Sequence, residues 1–348
     1  MNGKPTLKDI ARHTGCSTAT VSMILAGKQL SRFSKETIEK VYTTSRELGY
    51  QPKHGIKKEG VVVIVCPSVI NPYYATLLQG METEAHANGY VTLTYNTYWS
   101  PEREKKVLDL SISPEVKGII FAMAPLQPEL VQDTAAHLPV VAVCDKQYQV
   151  QFDTVEMNNF DAGYQIGEHL IKLGHTRICY LSTTLNNQHP SRLLRYKGLV
   201  ESFRKLCPGG TVSLLTKDVE PQKELETVEI EHQTGMELAQ KCLSTYPEVT
   251  AMVAINDMVG YGVMDALRIE GYRIPEDYSV CGFDNIYPSQ FQGIRLTTID
   301  HQINQRGRRA FSLMQPKLEK NARESSITHV EFTNLLVERS TTGKPRSL

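Results

Sequence analysis

Ser68, Asp145, Asn256, Asp257 and Asp284 are short polar side chains that each stand just past an apolar run of the chain. Carboxylates and carboxamides so placed can bind paired hydroxyls of a small ligand, and the aromatic Tyr73, Tyr74 and Trp99 could stack on a sugar face. A second set lies near the start. Thr18, Ala19, Ser22 and Met23 are small or flexible groups, able to approach base edges and phosphates closely. They sit in a basic stretch: residues 1–60 carry eleven Lys and Arg against five acids, a formal +6. The other 288 residues carry 27 against 33, a formal −6. The zero net charge of the 348-residue chain is therefore two cancelling terms, and such asymmetry points to a nucleic-acid-binding or membrane-binding module.

Other chemistry is not expected. There is no G-x-S-x-G, H-E-x-x-H, P-loop or G-x-G-x-x-G, so the chain reads as neither an enzyme nor a cofactor carrier. The ten histidines are dispersed, with His175 in a turn that suits a structural role, and no metal site is expected. Seven scattered cysteines, never in C-x-x-C spacing, read as reduced thiols, four of them buried. The opening MNGKPTLKD lacks the apolar core of a secretion signal, and the longest apolar run, Val61 to Cys66, is too short to span a bilayer. A cytosolic location without membrane contact is expected.

The positioning elements follow from caps and periodicity. Thr6 can cap a helix that carries Leu7, Ile10 and Ala11 on one face and stops at Gly15. Ser17 can cap a second helix over 18–26, with Val21, Ile24 and Leu25 inward. Ser34 can cap a third, in which Ile38, Val41, Tyr42, Ser45 and Leu48 recur until Gly49. Two short helices joined by a Gly-containing turn and backed by a third make a helix-turn-helix pattern, although an ordinary three-helix bundle has the same outline. From residue 61, apolar runs at 61–66, 91–96, 118–123, 140–143, 177–181, 250–255 and 278–283 alternate with helical stretches. This predicts two successive doubly wound α/β subdomains with parallel sheets and a ligand cleft between them.

The segment TLKDIARHTGCSTATVSMILAGK resembles the N-terminus of the LacI family of bacterial transcription regulators, T-x-x-D-[IV]-A-x-x-A-G-V-S-x-x-T-V-S-R-x-L-N. Thr6, Asp9, Ile10, Ala11, Gly15, Ser17, Thr20, Val21, Ser22 and Leu25 match. The resemblance implies that Thr6, Ser17, Thr20 and Ser22 contact DNA phosphates and that Thr18, Ala19 and Met23 face bases; by their charge the linker's Lys53, Lys57 and Lys58 are expected to add phosphate contacts, and Lys28 is expected at the DNA as well. Met23 stands where the family often has Arg, so a bidentate contact to guanine is lost and packing on thymine methyls is expected. Ala26 replaces the usual Asn. The linker after Pro52 is shorter than the family's hinge helix and has no clear minor-groove leucine.

Asn71-Pro-Tyr-Tyr74, VKGII, LGHTRI, AINDMVGYGVMDAL, IPEDYSVCGFDN, LTTI and LVERST likewise resemble that family's ligand-binding core, shared with periplasmic sugar-binding proteins. This implies a periplasmic-binding-protein-like type I fold with residues 1–51 as the DNA-binding domain, 52–60 as a short linker and 61–348 as the effector-binding core. Within the core it implies one subdomain at about 61–157 plus 288–320 and a second at about 158–287 plus 321–348. The effector set is then Ser68, Tyr73, Tyr74, Trp99, Asp145, Arg195, Asn256 and Asp284, with Arg195 matching a family arginine that reaches the effector. Asn158-Asn159 replaces the family's Asp-Asn pair and loses a carboxylate. The implied partners are double-stranded operator DNA, a small carbohydrate effector and a second copy of the chain.

Overall fold

The computed structural model describes residues 5–25, 32–48, 50, 60–111, 113–186, 190–220, 223, 227, 229–319 and 326–347. It divides into two compact units, Met1–Glu59 and Gly60–Leu348.

The first unit holds α1 (Leu7–Thr14), α2 (Thr18–Leu25) and α3 (Lys35–Glu47). Ile10, Val21, Ile24 and Val41, one or two from each helix, form its core with Tyr50 from beyond α3. Gly15 adopts φ 73° and returns its N–H to the Ala11 carbonyl, so the chain turns sharply between α1 and α2. The Tyr42 hydroxyl donates to the Ile24 carbonyl at 2.9 Å and fastens α3 beneath α2.

The second unit contains two six-stranded sheets, each sandwiched by helices. The first lobe's sheet has strand order β11-β5-β4-β3-β1-β2 and every pair in it is parallel. Its members are β1 (Val61–Cys66), β2 (Val91–Asn96), β3 (Val116–Phe121), β4 (Val140–Asp145), β5 (Asp153–Met157) and β11 (His329–Phe332). The second lobe's sheet has order β12-β10-β9-β8-β6-β7, in which only the β10–β12 pair is antiparallel. It comprises β6 (Arg177–Ser182), β7 (Thr211–Thr216), β8 (Ala251–Ala254), β9 (Ser279–Asp284), β10 (Thr297–Asp300) and β12 (Leu335–Val337). Val62, Ile64, Ile120 and Val141 fill one face of the first sheet, and Val63, Val65, Ile119 and Phe121 the other, as strands buried on both sides require.

Two subdomain boundaries drawn from the sequence need correction. β10 pairs with β9, so the chain stays in the second lobe through Asp300 and does not cross at 288. β11 pairs with β5, so the chain stays in the first lobe through Phe332 and does not cross at 321. Both strands are only four residues long, and β11 pairs with a strand some 175 positions earlier, so the alternation of runs could not place them. Among the described residues no helix is long and apolar enough to cross a membrane.

Candidate functional site

Small side chains decorate the first unit where α2 begins. The Thr6 N–H and hydroxyl both donate to the Asp9 carboxylate, at 2.8 and 2.7 Å, and hold that carboxyl below its ordinary range. The Ser17 hydroxyl accepts the Thr20 N–H at 3.0 Å, capping α2. Val21 and Ile24 point inward, which leaves Ser17, Thr18, Ala19 and Ser22 exposed and Thr20 and Met23 half-buried. The result is an exposed patch of hydroxyl, methyl and thioether groups at a helix N-terminus, chemistry that can meet phosphates with hydroxyls and backbone N–H groups and base edges with small side chains. Lys28, Lys53, Lys57 and Ala26, with the whole linker from 52 to 59, lie outside the described residues.

In the second unit the strand ends converge on one cavity of about 430 Å³ between the lobes. All eight side chains expected at the effector site line it. They do different things. Asp145, at the end of β4, takes the Gln147 N–H on one oxygen and both the N–H and the side-chain amide of Asn159 on the other, each at 2.9 Å. Its carboxylate therefore fixes the chain where it leaves β5. Ser68 likewise accepts the Ile70 N–H at 3.2 Å and shapes the turn after β1. Asn256 caps the helix Asp257–Ile269 through the Val259 N–H. Asp257 is outside the cavity: it is fully buried and accepts from Ser289, Thr298 and the Ile286 N–H, so its role is structural.

Arg195 and Asp284 form the back of the cleft. Arg195, on the helix Pro190–Leu206, donates from Nε to Asn159 (2.9 Å), from Nη1 to the Ile255 carbonyl (2.7 Å) and from Nη2 to Asp284 (3.2 Å). Its guanidinium lies over the Phe283 ring at 4.8 Å. Burial pushes the Asp284 carboxyl up to about 7, against the pull of Arg195. Asp284 has φ 110° and Trp99 φ 58°, two non-glycine residues with positive φ that both line the cavity. Tyr73 contributes least, being packed in the first lobe's core edge-on to Tyr74 at 5.0 Å between ring centres.

Other lining residues were not expected from the sequence. Glu231, in the first turn of the helix Ile230–Thr245, accepts from Asn71 of the first lobe at 2.7 Å and from Asn256 of the second at 2.9 Å. That carboxylate bridges the cleft, and burial raises its pKa. Arg192 and Lys197 share the helix of Arg195 and also line the cavity. Arg192, three positions before Arg195, could have been suggested by helical spacing; nothing marked Lys197 or Glu231. His175 is buried among Thr250, Ser279 and the Gly343 carbonyl, a structural hub. No cluster of three metal-ligating side chains occurs among the described residues.

Residues 59–336 match the family profile described as periplasmic binding proteins and sugar binding domain of LacI family, and residues 6–53 match that of bacterial regulatory proteins, lacI family. The HTH-type transcriptional repressor PurR of Mannheimia succiniciproducens is 28% identical over 334 residues, covering 92% of this chain and 95% of its own. A LacI family transcriptional regulator from Enterococcus faecium, solved with bound ribose, superposes with TM-score 0.69 at 23% identity, over 81% of this chain and 98% of that one. The complex of transcriptional regulator CelR with cellobiose does so with TM-score 0.66 at 21% identity, over 97% and 99%.

Proposed function

Because the chain belongs to the LacI family of bacterial regulatory proteins, which bind DNA and control transcription, we propose that it is a repressor whose grip on its operator is set by a small carbohydrate. The observation that carries this reading is the cavity between the lobes, where Arg195, Asp284, Asn256 and Glu231 present donors and acceptors beside Tyr74 and Trp99. Its volume lies at the small end of the range for ligand pockets, about 300–1,000 Å³. Ribose and cellobiose in the two structural neighbours support a sugar as occupant. Closure of the lobes around it would shift the protein between states that fit or misfit the DNA.

On the DNA side, Thr18, Ala19 and Met23 read bases in the major groove while Thr6, Ser17, Thr20 and Ser22 fix register on phosphates, with Lys28, Lys53 and Lys57 adding charge. One helix-turn-helix reads one half-site, so the protein acts in the cytoplasm as a homodimer on a pseudo-palindromic operator. Val91 and Leu93 on the edge strand β2, with Leu110, are exposed apolar groups suited to meeting a second copy. The test is selection of binding sites from random DNA, followed by affinity measurements against salt with and without D-ribose and cellobiose. A two-fold-symmetric site, a steep salt dependence and a sugar-dependent shift are expected. Binding with no sequence preference would overturn the repressor reading, and a sugar-insensitive site would overturn the effector reading.

A further inference from the structure

The chain crosses between the lobes after β5, after β10 and after β11, and a buried polar side chain from each crossing joins one ring of hydrogen bonds. Asn334, between β11 and β12, donates from Nδ2 to the Asn158 carbonyl at 2.7 Å and to Asp161 at 3.1 Å. With its amide committed, its Oδ1 faces His301 Nδ1 at 2.9 Å, and a carboxamide oxygen can only accept. His301, just past β10, therefore carries its proton on Nδ1 and offers the Nε2 lone pair to Arg195 Nη2 at 3.1 Å. Arg195 Nε returns to Asn159 at 2.9 Å, beside Asn158, and the ring closes. Asn159, Arg195, His301 and Asn334 are each at most 7% exposed. Of these four only Arg195 lines the cavity.

We propose that His301 and Asn334 are positioning residues of the effector site, which aim Arg195 into the cavity and tie its aim to the angle between the lobes. The proposal rests on the cavity being the effector site. Its physical content is geometric. A rotation of the lobes has to pass through the three crossings, and the ring links all three to one guanidinium. Whatever Arg195 gains by binding ligand in the closed arrangement therefore biases the hinge, and by linkage the hinge biases ligand affinity. The neutral imidazole suits this place: burial, with Arg195 and Arg306 alongside, holds it well below its ordinary range, so Nε2 stays an acceptor.

The test uses the full chain with His301→Leu, Asn334→Leu and the conservative His301→Gln, whose amide can still donate on one side and accept on the other. Emission of Trp99, the sole tryptophan and a cavity-lining residue, reports titrations with D-ribose and with cellobiose. His301→Leu and Asn334→Leu are expected to weaken sugar binding about 10- to 100-fold, the equivalent of one lost hydrogen bond to a charged group. His301→Gln should recover most of that loss even where it leaves thermal stability lowered. Unchanged sugar affinity in both leucine variants would overturn the proposal and leave the ring a structural brace. If neither sugar alters the wild-type emission, the carbohydrate reading falls and amide hydrogen exchange without ligand decides about the ring. Faster exchange in His301→Leu at 157–162 and 332–335 as well as 300–303 supports it, and a change confined to 300–303 overturns it.

Discussion

Gly163→Ala tests whether the approach of two helices sets the aim of Arg195. Gly163 lies on the helix Asn159–Leu173, and a Cβ there would come 1.9 Å from the Arg195 carbonyl oxygen and 2.7 Å from its carbonyl carbon. The contact is reciprocal, since a Cβ on Gly198 would come 1.9 Å from the Phe160 carbonyl oxygen. Ordinary contact begins near 3.4 Å, so the helices would have to part by about 1.5 Å at the residue that carries the guanidinium. Both obstacles are backbone, which cannot rotate aside. Overpacking costs about 1–3 kcal/mol, and the upper end applies here; at about 2–4 °C per kcal/mol this lowers Tm by about 6–12 °C. The same displacement carries the 3.2 Å Arg195–Asp284 bond out of hydrogen-bonding range. Sugar affinity by Trp99 emission should fall about tenfold or more in protein that is still folded at 20 °C. Gly293→Ala, where nothing lies within 4 Å, is the control and should change neither quantity. A Gly163→Ala protein with wild-type Tm and wild-type sugar affinity would refute the account of this helix pair.

Three further outcomes follow from particular side chains. Arg306 is fully buried, donates from Nη1 to the His301 carbonyl at 3.2 Å, and has no carboxylate in ion-pair range among the described residues, so Arg306→Met should raise Tm by a few degrees if the buried charge outweighs that one bond; a drop of similar size in urea and heat denaturation would show that the charge is needed. Asp284, held at about 7 when folded against 3.8 as its ordinary value, keeps its proton longer folded, so stability from this group is present at low pH and is lost as pH rises from about 4 through 7. Asp257, held at about 6, acts in the same direction and His175, held at about 4, in the opposite one, so Asp284→Asn should flatten the fall of Tm between pH 5 and 7; an unchanged slope would show that Asp284 is not its source. Met23 should favour A·T at the base pair it faces, and binding-site selection that returns an invariant G there would contradict packing on a thymine methyl.

The fold was legible where burial on two sides forces apolar runs. Observed strands overlap all seven runs from 61–66 to 278–283, and the head's helices begin at or beside the expected caps Thr6, Ser17 and Ser34. Of the five strands without such runs, four have a physical reason for escaping notice. β7 and β11 are edges, where one flank of the strand needs no apolar cover, and HVEF carries a single aliphatic residue. β12 is three residues long. β5, although internal, buries Asp153 and Thr154, whose side chains are consumed by hydrogen bonds to the β11 region, so its composition reads as polar.

The site shows the same limit at the level of single groups. Ser68, Asp145, Asn256 and Asp284 could be found because a parallel strand delivers its last residue to the sheet edge where ligands bind. Position, however, does not reveal whether a polar group is free. Both oxygens of Asp145 are spent on N–H donors, and Asn256 divides itself between a helix cap and Glu231. Hydrogen-bond accounting is what separates a residue that meets the ligand from one that builds the wall, and it needs partners distant in sequence. Glu231 reaches Asn71 across 160 positions, and His301 reaches Arg195 across 106. The His301 pairing depends on β10 carrying the chain through Asp300 in the second lobe, past the boundary expected at 288. The hinge was invisible for the same reason as its strands: its residues are polar, local sequence gives them no period, and only the closed ring makes their burial affordable in free energy.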